Sequence, residues 1–214
     1  MKEIDLKSRK KTIIDKFILF ALSKLNQWNL YRVKKYNIST VDNPNNYEVK
    51  EKNMQDLNPM TLHSIIIGNK AKEPLHYVDS VKAVEGRGLE GDRYFYGVGT
   101  FNKAQLSQSV REISILAYET LEECNNRLDR ELEFLDLRRN LIIKDFDITK
   151  LENKIFTIGT AKFKIIRTCP PCRYLSRLLG EDMMQGLKYI GGYRASIVES
   201  GVIEVGDAVE VSSF

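Results

Sequence analysis

The spacing of apolar and polar positions changes character twice along this chain. Residues 10–36 place Ile13, Ile14, Phe17, Ile18, Ala21, Leu22, Leu25 and Trp28 at intervals of three and four, with Lys and Asp between them. That spacing predicts one amphipathic helix. Residues 37–58 are rich in Asn, Asp and Lys, contain Pro44 and show little periodicity, so they read as a linker or an irregular wrap. From Met60 onward the pattern becomes short apolar runs and period-two alternation, which predicts strands. Strands are expected at 61–68, 77–84, 111–116, 137–143, 155–158, 161–166, 194–198 and 202–211, with turns at Gly159-Thr160, Gly201 and Gly206-Asp207. Tyr118, Leu121, Cys124 and Leu128 recur at helical spacing with Glu119, Glu122 and Glu123 on the other sides, and Leu175, Leu178 and Leu179 do so before a terminating Gly180. A further short helical piece is expected at 181–187. Strands outnumber helices and do not follow βαβ order. The fold class is therefore mainly β with small helices (α+β), a mostly antiparallel, barrel-like sheet. The organisation is a helix-and-linker segment at 1–58 and a β-rich domain at 59–214.

Composition sharpens this picture in two places. With 214 residues and 43% apolar content the chain can bury a substantial core, and no apolar run reaches the roughly 20 residues of a membrane span. Three cysteines, two of them in one CxxC, do not make a secreted disulfide framework, which points to a reducing, cytoplasmic setting. The net charge of +4 is uneven: residues 1–36 hold ten basic and three acidic side chains, a charge of +7, against −3 for the rest. The β-rich body is thus no basic nucleic-acid binder. The 10–36 helix either packs on its own domain or a second copy, or lies on an anionic membrane surface.

Three stretches carry candidate chemistry. Cys169-Pro170-Pro171-Cys172 follows a predicted strand and leads into a predicted helix, so Cys172 falls at the first helical turn. Free backbone N–H groups there, together with Arg167 and Arg173, favour a thiolate. A thioredoxin-like dithiol would need a βαβ neighbourhood. A zinc site would have to recruit Cys124, His63 and His76, whose spacing suits no zinc motif. The dithiol, a single working thiolate and a pair of inert cysteines all remain open. The second stretch, Gly86-Arg87-Gly88-Leu89-Glu90-Gly91-Asp92-Arg93-Tyr94, matches GxGxxG formally, but no helix opens at its glycines, which excludes a dinucleotide fold. Its bent backbone with Arg87 and Arg93 can cradle an anion, or Asp92 can pair with one of those arginines. In the third, Arg138-Arg139-Asn140, adjacent arginines in a strand would face opposite sides, and an arginine inside a strand-rich core calls for an anionic partner. Cys124, on an apolar stripe, is expected to be a core residue.

Several separated stretches agree with one family. They are 86–94, Glu112-Ile113-Ser114-Ile115-Leu116-Ala117-Tyr118-Glu119, Arg138-Arg139-Asn140-Leu141, Cys169-Pro170-Pro171-Cys172 with Leu175, Gly191-Gly192-Tyr193-Arg194-Ala195, and Gly201-Val202-Ile203 with Gly206-Asp207. In this order, across about residues 60–212, the chain resembles the MOSC domain, the C-terminal domain of molybdenum cofactor sulfurases, in its stand-alone bacterial form. The resemblance implies a β-barrel and a cysteine, by position Cys172, that carries sulfur as a persulfide or ligates molybdenum; Cys169, within reach in the same CxxC, is a candidate resolving thiol. The resemblance also implies a site for the molybdenum cofactor (molybdopterin), with Arg87, Gly88, Asp92, Arg93, Arg138, Arg139, Asn140, Arg173 and Gly192 around it.

Family members that act as complete reductases of N-hydroxylated compounds carry an additional N-terminal β-rich domain, and full sulfurases carry a pyridoxal-phosphate desulfurase domain. Residues 1–58 suit neither. The expectation is therefore a sulfurtransferase or cofactor carrier supplied by a separate sulfur donor such as a cysteine desulfurase. The alternatives are a component of a molybdenum-dependent reductase, and a non-catalytic MOSC scaffold that residues 10–36 recruit to a membrane or partner.

Overall fold

The computed structural model describes residues 59–102 and 104–212. The predicted helix at 10–36 and the linker at 37–58 lie outside the described residues. Within them no helix is long and apolar enough to cross a membrane.

The strands are β1 (Thr61–Ile67), β2 (His76–Val78), β3 (Ser80–Val84), β4 (Gly88–Leu89), β5 (Ile113–Ala117), β6 (Leu141–Lys144), β7 (Ile155–Ile158), β8 (Ala161–Thr168), β9 (Tyr193–Glu199), β10 (Gly201–Glu204) and β11 (Val209–Val211). The helices are α1 (Thr120–Leu128), α2 (Phe134–Leu137), α3 (Ile148–Leu151), α4 (Arg173–Leu179) and α5 (Met183–Gly186). Eight strands form one sheet in the order β11-β7-β8-β9-β5-β6-β1-β2, and β10-β3-β4 form a second. Every pairing is antiparallel except β5 with β6.

Alternation decides which face of each strand is buried. Ile113 and Ile115 of β5, Ala195 and Ile197 of β9, Phe163 of β8 and Phe156 of β7 point into one apolar core with Leu62, Ile65, Leu141 and Ile143. Their neighbours on the opposite face, Ile66, Leu116 and Ile142, pack instead against Cys124, Phe134, Leu137, Leu175, Met183 and Leu187, so the small helices cover this second side. Cys124 is fully buried there.

The expected barrel is not closed. The C-terminal half of β1, Ile65 to Ile67, pairs with β2, leaving only its first residues to meet the chain that enters β11. One bridge, Thr61 to Ala208, and three main-chain bonds join those edges: Leu62 N–H to Asp207 (2.8 Å), Gly206 N–H to Leu62 (2.8 Å) and Val209 N–H to Met60 (2.8 Å). The result is an open sheet drawn together at one end.

Two further expectations are corrected. The run at 77–84 is two strands in different sheets, because the chain turns from β2 into β3 at Asp79. Arg138 and Arg139 are not strand residues: α2 ends at Leu137, Arg138 caps it in the left-handed region (φ 55°), and β6 begins only at Leu141. The apolar Leu137 belongs to the helix preceding this bend.

Candidate functional site

The Cys-Pro-Pro-Cys segment leaves the end of β8 and returns to the sheet at β9, which runs antiparallel to β8. Among the described residues no thioredoxin-type βαβ unit surrounds it. Cys172 is the N-cap of α4, with extended backbone angles (φ −123°, ψ 158°) and no side-chain capping bond. Its thiol is free and exposed, while Cys169 is free and buried. Pro170 and Pro171 supply no N–H groups, so the segment is held from its ends. The Cys169 N–H donates to the Gly192 carbonyl (2.7 Å). Arg139, 6% exposed, donates from Nη2 to the Cys169 carbonyl (3.2 Å), from Nε to Gly191 (2.9 Å) and from Nη1 to Leu137 (3.1 Å). One guanidinium therefore ties both ends of the cysteine excursion to the end of α2.

Gly192 is part of the same clamp. Its φ of 90° suits glycine, and a Cβ there would lie 2.2 Å from the Ile115 carbonyl. Further along the excursion, Arg130 of the α1 side donates to the Leu179 carbonyl (2.7 Å) at the end of α4, and Arg127 to Lys188 (2.9 Å).

Asn140 is 1% exposed and spends its polar atoms inside the fold. Its Oδ1 accepts from the Ser114 hydroxyl (2.9 Å) and N–H (3.1 Å), and its Nδ2 donates to the Ile66 carbonyl (3.2 Å). It fastens β1 to β5 just before β6.

The glycine stretch folds as a tight hairpin between β3 and β4. Gly88 (φ 116°) lies so close to β5 that a Cβ would meet the Glu112 carbonyl at 2.8 Å. Asp92 and Arg93, 1% and 4% exposed, form an ion pair at 2.8 Å. Asp92 also accepts from the N–H groups of Gly68 (3.2 Å) and Tyr94 (3.0 Å). Burial pushes its carboxyl above the ordinary aspartate value, outweighing the pull of Arg93 and these donors. Arg87 is exposed and lies over the Phe95 ring, 4.0 Å from its centroid.

Three guanidiniums gather around Tyr94. Arg93 lies 4.8 Å and Arg194 5.5 Å from the centroid of its ring. Burial lowers the pKa of Arg138, and the charge of Arg93 lowers it further. Arg138 also donates to the Glu73 carbonyl (3.1 Å) and lies 5.7 Å from the ring of Tyr174 on α4. This brings the glycine stretch, the Arg138 bend, the cysteine helix and β9 into one neighbourhood. Arg87, over Phe95, and Arg173, exposed at the first position of α4, stand outside these contacts. Among the described residues no group of three or more His, Cys, Asp and Glu side chains is placed to hold a metal ion.

Arg194 is the residue that sequence reasoning passed over as a site member. It is buried in β9, opposite Ser114 of β5 and Arg167 of β8. The signal was present: a guanidinium at a central-strand position between Tyr193 and Ala195 raises the same question of an anionic partner that Arg138 and Arg139 raised.

The comparisons with known proteins agree with this architecture. The YuaD protein from Bacillus subtilis has a solved structure that superposes with a TM-score of 0.62 at 18% identity, covering 73% of this chain and 97% of its own. YiiM from Geobacillus stearothermophilus matches at a TM-score of 0.52 and 17% identity, over 72% of this chain and 76% of that one. YiiM from Escherichia coli gives 0.50 and 17%, over 73% and 69%. These likenesses are of fold, and no curated protein sequence matches the chain. The family model described as the MOSC domain matches residues 91–210, from the last glycine of the hairpin through the cysteine excursion to β11, and the chain belongs to that family.

Proposed function

We propose that this MOSC protein handles a metal–sulfur cofactor, binding the molybdenum cofactor or carrying sulfur as a persulfide on Cys172. The observation that supports it is a free, exposed thiol on an excursion clamped at both ends, beside a cluster of guanidiniums. A clamped loop presents its thiol at little ordering cost, and a soft sulfur donor suits molybdenum. The guanidinium of Arg138 suits an anionic, phosphate-bearing cofactor; in this reading Arg138 would meet its phosphate, Arg87 and Arg173 would reach it from outside the cluster, and Asp92, Arg93, Arg139, Asn140 and the glycines Gly88 and Gly192 would shape the walls. When bound, the molybdenum centre supplies oxygen- or sulfur-atom transfer.

Sulfur carriage needs only the chain and a donor persulfide. The Cys172 thiolate attacks the terminal sulfur of the donor, the donor S–S bond breaks, and the donor leaves as a thiolate. Cys172 then holds the extra sulfur. Attack by Cys169 on the inner sulfur would expel hydrosulfide and leave a Cys169–Cys172 disulfide, and exchange with an external dithiol, itself oxidised to a disulfide, would return both thiols. A cysteine desulfurase is one class of donor that could supply such a persulfide.

The test loads wild type and C172S with isolated molybdenum cofactor, measures bound molybdenum, and records the electron paramagnetic resonance of Mo(V). In parallel, both are incubated with a persulfide donor and trapped by alkylation. Wild type is expected to retain the metal or the sulfur and C172S to lose it. Equal retention by both proteins in both assays would sink the proposal.

A further inference from the structure

Arg194 is left with unmet demands. Its side chain is 7% exposed. Its Nε and Nη1 are fully buried and have no hydrogen-bond acceptor among the described residues. A guanidinium stays charged at any working pH, and burying a charge without an acceptor costs several kcal/mol. The Phe101 ring, 4.3 Å from the guanidinium carbon, and the Tyr94 ring, 5.5 Å away, offset part of that cost through their π-faces. A π-face does not replace an acceptor for an in-plane N–H.

The surroundings do not neutralise it either. Asp92, the carboxylate of this cluster, is spent on Arg93 and two backbone N–H groups. Arg93, which shares the Tyr94 ring with Arg194, adds positive charge, and Arg167 is the register partner of Arg194 on β8. Opposite Arg194 on β5, the Ser114 hydroxyl is already committed to Asn140. What the site lacks is an anion.

We propose that Arg194 is the recognition point of a phosphate-binding subsite, roofed by the half-buried Phe101 and flanked by Tyr94 and Arg93. Guanidinium N–H groups take phosphate oxygens in charge-assisted bonds, and the two rings hold the plane of the fork in place for them. Phe101 sits in the stretch between β4 and β5, whose described residues form turns and one 3-10 helix, Gln108–Val110. Swinging this ring aside opens the subsite without disturbing a strand. The inference is independent of the role of Cys172, and the two fail separately.

The experiment is thermal unfolding of the full chain in sodium phosphate against sodium chloride at matched ionic strength, for wild type, R194M, R194K and C172S. Phosphate also stabilises proteins in general by exclusion from their surface, an effect that rises without saturating. The expected result is a saturable gain for wild type in the millimolar range, kept by C172S. R194M, which removes an uncompensated charge at similar volume, should match or exceed wild type in chloride and lose the saturable gain. R194K, which keeps the charge without the planar fork, should need at least about tenfold more phosphate for half the gain. Phenyl phosphate tested alongside tells the carrier of the group: a lower midpoint than inorganic phosphate assigns the site to an ester, equal midpoints to the free ion. No saturable gain in wild type, or an undiminished gain in both R194M and R194K, overturns the proposal.

Discussion

The Cys169 N–H donates to the Gly192 carbonyl at 2.7 Å, so the two ends of the excursion that carries Cys172 are joined by one short main-chain bond. Gly192 can make that bond only with its φ at 90° and its α-carbon pressed against β5, where a side chain would meet the Ile115 carbonyl. Gly192→Ala is therefore expected to cost about 1–3 kcal/mol for the backbone conformation alone, with the clash adding to it. Urea unfolding of the variant measures the loss. A change within a few tenths of a kcal/mol would show that the junction is not under this constraint.

Arg139 performs the same task through its side chain, and its three carbonyl acceptors make a distinct prediction. Arg139→Leu leaves the Cys169, Gly191 and Leu137 carbonyls without their donor in a buried place. Each abandoned buried acceptor costs about 1–3 kcal/mol, so the variant should be severely destabilised or fail to fold. Arg139→Lys keeps the charge but gathers its donors on one nitrogen, where Arg139 uses three nitrogens for the three carbonyls. It should fold with reduced stability and speed the alkylation of Cys169, which the clamp keeps buried. Unchanged protection of Cys169 in the lysine variant would argue against the clamp.

Much of this was legible in the sequence, and the parts that were not share a physical reason. Period-two alternation located β8, where Ala161 and Phe163 are buried and Lys164 is exposed, whereas the strands at Ile113 and Ile142 were legible from apolar, β-branched residues, since β5 and β6 are buried on both faces. The hairpin at Gly159-Thr160 and the helix behind Cys172 followed from turn residues and leucine spacing. Closure of the sheet was not legible, since whether β1 meets β2 or β11 is settled by pairing between residues far apart in sequence. The Arg138-Arg139 pair was misplaced on a strand because Leu137 and Leu141 are both apolar, and nothing local shows that the first ends a helix and the second opens a strand. Arg194 escaped notice because its lack of an acceptor is a property of its neighbours.

The three thiols should separate cleanly by reagent access. Cys172 is exposed, whereas Cys124 and Cys169 are buried. Burial also raises the Cys124 thiol above its ordinary pKa, which lowers its thiolate fraction further. A thiol reagent applied to the native protein is expected to label one cysteine per chain, lost in C172S and retained in C124S. Full unfolding in denaturant should then release all three. Peptide mapping that finds Cys124 labelled in the native chain would contradict the packing of α1 against α5.

Glu112 predicts a specific pH dependence of stability. It is 3% exposed, its Oε2 accepts from the Ile197 N–H (2.7 Å), and burial raises its pKa from 4.5 to about 7. The folded state thus holds a proton more tightly than the unfolded chain does. That preference stabilises the fold fully below pH 4.5 and is lost as the pH rises through about 7. The shift corresponds to a contribution on the order of 3 kcal/mol across that window. Asp92 is raised in the same direction, so wild type alone does not isolate the glutamate. Glu112→Gln cannot titrate, and the difference between its unfolding free energy and that of wild type should change across the window from 4.5 to about 7 and be flat on either side. The sign is fixed: raising the pH should favour the glutamine variant relative to wild type. Denaturant titrations at closely spaced pH values supply the curve, and a constant difference across the window would mean that the carboxyl ionises in the folded chain as readily as in water.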